Sequence, residues 1–291
     1  MNFQNTHSPG VSILLPVRNG GDDLYAAVET ILGQTLKDFE LLVLDDGSTD
    51  HSVERLVSIN DKRVRLVIDS QKQGLAYRLN QGISMSTGKY IARMDADDLA
   101  FSHRLMIQKQ FLDCHPGVDL VAAKAVSFRG NELVGFLPFR ESHKEITRYP
   151  WLGLYMPHPT WMGRAEWFRT FNYRIPEIRL AEDQELLLRA MPESTYHAIP
   201  EVLLAYNRPP STLRKQTRAR VGLLSAQVKV FRNQKRNLWI CLSVLTFVVK
   251  LSFDFLRSMF SWLGLSPGFQ NKTILQPELV EKFLKLKFKS P

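Results

Sequence analysis

Cysteine is nearly missing from the 291 residues: Cys114 and Cys241 stand alone, 127 positions apart. That spacing offers neither a zinc-type ligand set nor a disulfide framework, and it fits a reducing compartment. The opening residues MNFQNTHSPG show no basic segment followed by an apolar core, so a cleaved secretion signal is not expected. The first apolar run is not followed by a dinucleotide-type glycine fingerprint. The RNGGDD standing there is acidic, which argues against a dehydrogenase. A P-loop is absent throughout. Acidic residues are missing from one long interval, between Glu201 and Asp254. Ten lysines and arginines fill it, more than the whole net charge of +9, so the remainder is close to neutral. The basicity therefore belongs to one region and needs its own explanation.

What is present is ordinary for a globular chain: 44% hydrophobic and 23% charged residues exclude wholesale disorder. The length suits one large domain, or one domain with an appendage. VSILLPV (11–17) is a strand-length apolar run of the kind buried on both faces of a parallel sheet. LYAAVETILGQT follows, with Leu24, Val28, Ile31 and Leu32 on one helical face. The pattern repeats as strand 39–44 with a helix over 51–59, then RVRLVI with a helix in GLAYRLNQGISMSTG, then the strand YIARMD. Three βα units feeding a fourth strand imply a parallel, helix-covered sheet of the doubly wound type. Beyond residue 118 the pattern changes. A hairpin turns at RGNE, a short helix is expected over 143–150, HPTWMGRAEWFRTF is a strand entering a helix, AEDQELLLRA opens another helix, and YHAIPEVLLAYNR supplies two short strands.

The polar clusters RNGGDD, DDGSTD and DADD each follow the C-terminal end of a strand, the edge where open α/β sheets bind ligands. Asp45 and Asp46 suit a turn and helix cap, or carboxylates accepting bonds from a nucleobase or ribose. Asp95, Asp97 and Asp98 crowd three like charges into four positions. They suit a solvated turn, or a site for a hard divalent cation that takes oxygen ligands. Glu182 and Asp183 are favoured at a helix start by the dipole, and either reading, cap or general base, is open. His158, among apolar residues, reads as packed and hydrogen-bonded, or as a ligand.

Taken together, VSILLPVRNG, FELLVLDDGSTD, GLAYRLNQGISMSTGKYIARMDADD and AEDQELLLRA resemble glycosyltransferase family 2 in order and spacing, over roughly residues 9–207. The resemblance implies an inverting transferase of GT-A fold, with a mainly parallel sheet, helices on both faces and a C-terminal helical tail. It implies a nucleotide-diphosphate sugar donor, expected to be a UDP-sugar, a hydroxyl acceptor and Mn²⁺ or Mg²⁺. Pro16, Val17, Arg18 and Asn19 would line the nucleotide pocket. Asp45 would contact the base, with Asp46, Arg78 and Asn80 on the same nucleotide side. Asp95 would reach the ribose or sugar, Asp97 would ligate the metal, and Asp183 would be the catalytic base. Asp98, Glu182, His158 and Arg208 fall on the acceptor or diphosphate side. The segment YNRPPSTLRKQTR departs from the family's usual basic loop. Arg208, Ser211 and Arg214 could serve there, without the usual histidine. A role in cell-surface polysaccharide or glycolipid synthesis follows from the same resemblance together with the tail.

Residues 208–291 form the basic C-terminal region. Its apolar segment 238–265 carries an uncharged run of only 12 residues, 238–249, short of the roughly 20 that span a bilayer. Ser243, Thr246, Lys250, Asp254, Arg257 and Ser261 recur at helical steps and make one polar stripe. A helix lying in a membrane interface is expected, beside a lipid-linked acceptor; a helix packed on protein and a tilted span are the alternatives. EKFLKLKFK adds a short basic amphipathic segment. The expected location is cytoplasmic, peripheral on the membrane. A nucleotidyltransferase is disfavoured, because PVRNGGDD is not the basic loop a triphosphate requires. A non-catalytic protein that binds nucleic acid or membrane through the basic stretch is disfavoured too. No nucleic-acid motif accompanies that stretch, and the acids Asp95, Asp97 and Asp183 are intact.

Overall fold

The computed structural model describes residues 8–176, 180–209, 212–262 and 275–287. Strands β1 (Val11–Val17), β2 (Phe39–Asp45), β3 (Val64–Val67) and β4 (Tyr90–Arg93) run parallel in the order β3-β2-β1-β4. Because side chains alternate along a strand, β1 and β2 bury two different sets. Ile13, Leu15, Leu41 and Val43 pack in the cluster that holds helix α1 (Gly21–Leu32), while Leu14, Leu42 and Leu44 pack with helix α2 (Leu75–Met85). Helices therefore cover both faces, as the continuous apolar runs require.

Between β2 and β3 the helix expected over 51–59 is only a 3₁₀ turn, Glu54–Ser58. Val53 and Leu56 are its buried anchors and Val57 stays exposed. Two anchors three apart suit a 3₁₀ turn, in which i and i+3 eclipse.

The second half is mixed. After β5 (Leu99–Ala100) and helix α3 (Arg104–Cys114) come the hairpin strands β6 (Leu120–Arg129) and β7 (Glu132–Phe136), then helix α4 (His143–Ile146) and a 3₁₀ turn at Pro150–Leu152. Strand β8 (Met162–Arg164) lies antiparallel between β4 and β6 and leads into helices α5 (Ala165–Thr170) and α6 (Glu182–Ala190). YHAIPEVLLAYNR is one strand, β9 (Tyr196–Asn207), not two. It pairs with β6, and the register slips from Ile199 to Val202 around Pro200. A proline has no N–H to give the ladder, so the strand bulges there and continues.

Three helices follow among the described residues: α7 (Leu213–Asn233), α8 (Asn237–Trp262) and α9 (Pro277–Lys287). Thr212 caps α7 by accepting from Lys215 N at 3.2 Å. Helix α9 seats Phe283 against Phe128. Residues 263–265 of the expected tail helix and Ser211 lie outside the described residues. The stripe Ser243, Thr246, Lys250 and Asp254 faces the protein. Thr246 and Lys250 meet the carbonyls at the end of the Pro150–Leu152 turn, and Asp254 meets Arg220 of α7.

Gly88 marks how closely α2's exit meets β1: a Cβ there would sit 2.6 Å from Ser12 N. Backbone cannot yield cheaply, so Gly88→Ala is expected to cost about 1–3 kcal/mol. Gly117→Ala, with nothing within 4 Å, should stay within about 0.5 kcal/mol of the parent. Urea midpoints of the two variants check this.

Candidate active site

Strand β4 ends on an arginine. Arg93 is buried and directs both terminal nitrogens at Asp95, Nη1 to Oδ2 at 3.0 Å. Its backbone N donates to Trp161 O at 3.0 Å and its carbonyl accepts from Arg104 Nη2 at 2.7 Å. Burial opposes its charge, but Asp95 first, then Tyr173, Asp98 and Glu182, hold the guanidinium above its ordinary range. The chain turns directly after it, so Asp95, Asp97 and Asp98 gather at one strand end.

Two of these three carboxyls are poorly compensated. Asp98 is fully buried; its Oδ1 accepts from Asn207 N at 2.8 Å, while Oδ2 has no hydrogen-bond partner. Burial, then Asp95 and Asp97, push its carboxyl well above the usual range. Asp97 is half-buried and pushed up to about 6, by burial first and Asp95 second. Behind them lies Arg104, buried on Gln108 Oε1 at 3.1 Å, where burial lowers its pKa to about 9. Among the described residues no three acids or histidines converge as a full cation cage, so what fits here is a hard divalent cation held by one or two of these carboxylates together with phosphate oxygens.

The opposite wall is the start of α6. Asp183 is half-buried and burial raises its carboxyl, against the hydrogen bonds Gln184 supplies. Gln184 Nε2 donates to Asp183 Oδ2 at 3.3 Å and to Leu154 O at 3.1 Å, and its Oε1 accepts from Leu154 N at 2.9 Å. One glutamine thus ties the acid to the segment after the 3₁₀ turn. Arg93, Asp95, His158, Glu182, Asp183 and Tyr206 line one cleft of about 520 Å³. Asp97 lines a neighbouring depression of about 330 Å³ with Asp22, Asp23, Arg55 and Lys287.

Other expected site residues have partners within the protein. His158 Nε2 lies 2.6 Å from the Tyr173 hydroxyl, and its ring packs 4.5 Å from Trp161. Burial and then Arg93 hold it far below the usual histidine range, so it stays neutral. Both ends of the Asn80 amide bind the Tyr173 backbone, Nδ2 to O at 2.7 Å and Oδ1 from N at 2.9 Å. Arg78 is buried against Asp46, Asp69 and the Gln71 carbonyl, at 3.0, 2.8 and 2.5 Å. Asp46 also accepts from Gln73 N and Gly74 N, at 2.7 and 3.0 Å. Asp46 and Arg78 thereby shape the loop before α2.

Asp45 closes the turn DDGS by accepting from Ser48 N at 3.1 Å. Pro16 and Val17 are buried strand residues, Arg18 is exposed, and Asn19, at φ +54°, joins this turn by accepting from Thr49 N at 2.8 Å. Arg208 lies exposed past β9 and lines neither cavity, its N donating to Phe128 O at 2.9 Å. Arg93, Tyr173, Gln184 and Tyr206 were not singled out from sequence. Only Arg93 left a signal, as a lone charge inside an apolar strand.

Comparison with known proteins bears on this arrangement. Residues 12–171 match the model of glycosyl transferase family 2. A putative glycosyltransferase EpsE of Bacillus subtilis is 32% identical over 195 residues, covering 64% of this chain and 68% of its own length. The bifunctional glycosyltransferase pgtA of Dictyostelium discoideum is 31% identical over 147 residues, 45% of this chain and only 19% of that much longer protein. Among solved structures, mannosyltransferase PcManGT of Pyrobaculum calidifontis, in complex with GDP-Man and Mn²⁺, superposes with a TM-score of 0.61 at 16% identity. The match covers 98% of this chain and 89% of that one. TarS of S. aureus in complex with UDP-GlcNAc gives 0.60 at 14% identity, over 95% and 79%. Both neighbours are GT-A glycosyltransferases, and the fold described above is theirs.

Arg93 is the test of the site's electrostatics. Arg93→Met leaves the acids uncompensated and is expected to cost about 3–5 kcal/mol at pH 7.5. The deficit should shrink toward pH 5. An acid with a higher pKa folded than unfolded binds more protons in the folded state, so stability rises as pH falls through the folded value. Arg93 lowers both Asp97, at about 6, and Asp98, so without it both rise further and the variant gains more than the parent between pH 7.5 and 5. Urea midpoints at pH 7.5, 6 and 5, without divalent cations, measure it.

Proposed function

The chain belongs to glycosyltransferase family 2, and we propose that it transfers a sugar from a nucleotide-diphosphate donor to an acceptor hydroxyl, inverting the anomeric centre with a divalent cation. The observation that carries this is the cleft in which Asp95 and Asp183 meet across the buried Arg93. Two acids facing one cavity from different elements allow one to hold the donor while the other works on the acceptor.

Asp97, with Asp95 and Asp98 beside it, would hold the cation. When bound, the cation offsets the charge that develops on the leaving diphosphate. The chain's own residues do the rest. Asp183 accepts the proton of the attacking hydroxyl, and its burial makes it a better base than a solvated aspartate. Gln184 fixes that carboxylate in place. Arg93 orients Asp95 and supplies the positive charge that keeps the acidic rim folded. Neutral His158, hydrogen-bonded to Tyr173, packs beside them. A single displacement from the face opposite the leaving group inverts the anomeric carbon. The neighbours bind UDP-GlcNAc and GDP-Man, so either base class is a candidate here; we favour UDP, with Asp45 at the base. We assign the product to a cell-surface polysaccharide or glycolipid.

Thermal melting with UDP, GDP or dTDP, each with and without Mn²⁺, tests the donor side. One nucleotide should raise Tm only with Mn²⁺, since a ligand of the native state stabilises by mass action. Asp97→Asn should abolish that rise. Asp183→Asn should keep it, yet lower hydrolysis of the matching nucleotide sugar by about 10²–10⁴-fold, the usual contribution of a positioned base. No rise with any nucleotide in a folded sample contradicts the proposal.

A further inference from the structure

Helix α8 is turned the wrong way round for water. Its polar stripe is spent on the protein: Thr246 Oγ1 donates to Trp151 O at 3.2 Å, Lys250 Nζ to Leu152 O at 3.2 Å, and Asp254 pairs with Arg220, whose Nη2 reaches Oδ1 at 2.8 Å. The opposite face is bare. From Leu238 to Leu256, Ser252 is the only exposed residue with a hydrogen-bonding side chain apart from Cys241, and no exposed residue is charged. Leu238, Leu245, Val248, Val249, Phe253 and Phe255 all stand out, Phe253 with 67% of its surface exposed. A furrow lined by Leu213, Leu251, Phe255 and Leu256 carries the apolar surface onto α7. Contiguous apolar patches of this extent mark interaction sites.

The geometry points to an anionic lipid bilayer as the occupant, with α8 lying in the plane of the interface and its apolar face inserted. Charge selects that occupant. Lys235 and Arg236 stand exposed at the start of α8 and Arg257 toward its end. Arg214, Lys215, Arg218, Lys229 and Arg232 are exposed along α7, and no acid lies between Glu201 and Asp254. Two copies meeting along α8 would bring both sets of cations together and repel. An anionic surface attracts them, while the chain below buries its apolar residues.

The tethers select the orientation. Trp239 packs on Phe231 at 5.3 Å, and the contacts of Thr246, Lys250 and Asp254 follow along the helix. Held along that length, α8 could cross the bilayer only by drawing α7 and its cations into hydrocarbon, where charges are expelled.

This inference rests on the transferase reading and deepens it, because the docking helix is built onto the cleft. Trp151 and Leu152 hold α8, and Leu154, Tyr155 and Met156 directly after them line the cleft. Leu154 is the residue gripped by Gln184, next to Asp183. Ala219, beside the Arg220 that pairs with Asp254, lines the cleft from α7. The bilayer surface therefore runs next to the acceptor side, and the acceptor class it presents is a lipid-borne hydroxyl.

The full chain should sediment with phosphatidylcholine vesicles containing 30% phosphatidylglycerol, and at least tenfold more weakly with pure phosphatidylcholine. Leu245→Glu/Val249→Glu/Phe253→Glu should lose at least tenfold in vesicle binding and keep the nucleotide-dependent rise in Tm. Depth is read in a Cys114→Ser background, with a fluorophore on Cys241, or on Val248→Cys or Phe255→Cys in a chain also lacking Cys241. An in-plane helix gives all three the same shallow quenching by spin-labelled lipids. A crossing helix would separate the end positions by about 21 Å in depth. Graded quenching, or absence of binding to the anionic vesicles, overturns the proposal. So does a dimer in solution that the triple variant converts to monomer without any vesicle binding. If binding fails while the nucleotide still stabilises, the docking surface is wrong and the transferase reading stands.

Discussion

A guanidinium buried at the end of β4 is what the acidic rim of the cleft is built against. Arg93 faces Asp95 directly, and Asp98, Glu182 and Asp183 lie within its field. Removed from water, an arginine cannot shed its charge, so the fold must surround it with acids. Those acids repel one another, and the arginine leaves some of that repulsion unanswered. Asp97 and Asp98 are held partly out of their charged forms. The site thus leaves one more positive charge unanswered, the role proposed above for a divalent cation.

The surrounding structure serves that centre by fixing backbone. The loop before α2 hangs on Asp46 and Arg78, and the turn after β2 on Asn19, Ser48 and Asp45. Asn80 holds Tyr173, which holds His158, and Gln184 holds Asp183 against Leu154. Each of these polar side chains is committed to protein, and a rigid cleft results from many small commitments. The segment from Trp151 to Leu154 joins the cleft to α8, so the cleft and the proposed docking helix share one short segment.

Sequence reading reached the parallel half of the sheet, because apolar runs alternating with helical faces have few solutions. The positions of Asp95, Asp97 and Asp183 at the ends of elements were legible too, and the structure brings Asp95 and Asp183 to one cleft. It could not foresee protein partners that come from far along the chain. Asn80 meets Tyr173 across 93 positions, and no local pattern announces that bond. Arg78 looked like a ligand's partner, but Asp46 and Asp69 take its charge. The stripe on α8 was visible, but its direction was not. Periodicity identifies a polar face without saying whether water or protein receives it. Pro200 shows a milder failure: a residue that punctuates a strand did not divide it, because a bulge in the pairing absorbed it.

The most direct test of the central claim is a crystal structure with Mn²⁺ and a nucleoside diphosphate, with the metal located by its anomalous scattering. The account predicts one peak ligated by Asp97, with the diphosphate leading into the cleft shared by Asp95 and Asp183. A peak held elsewhere, for example by Asp22 and Asp23 alone, or a nucleotide bound away from that cleft, would contradict it.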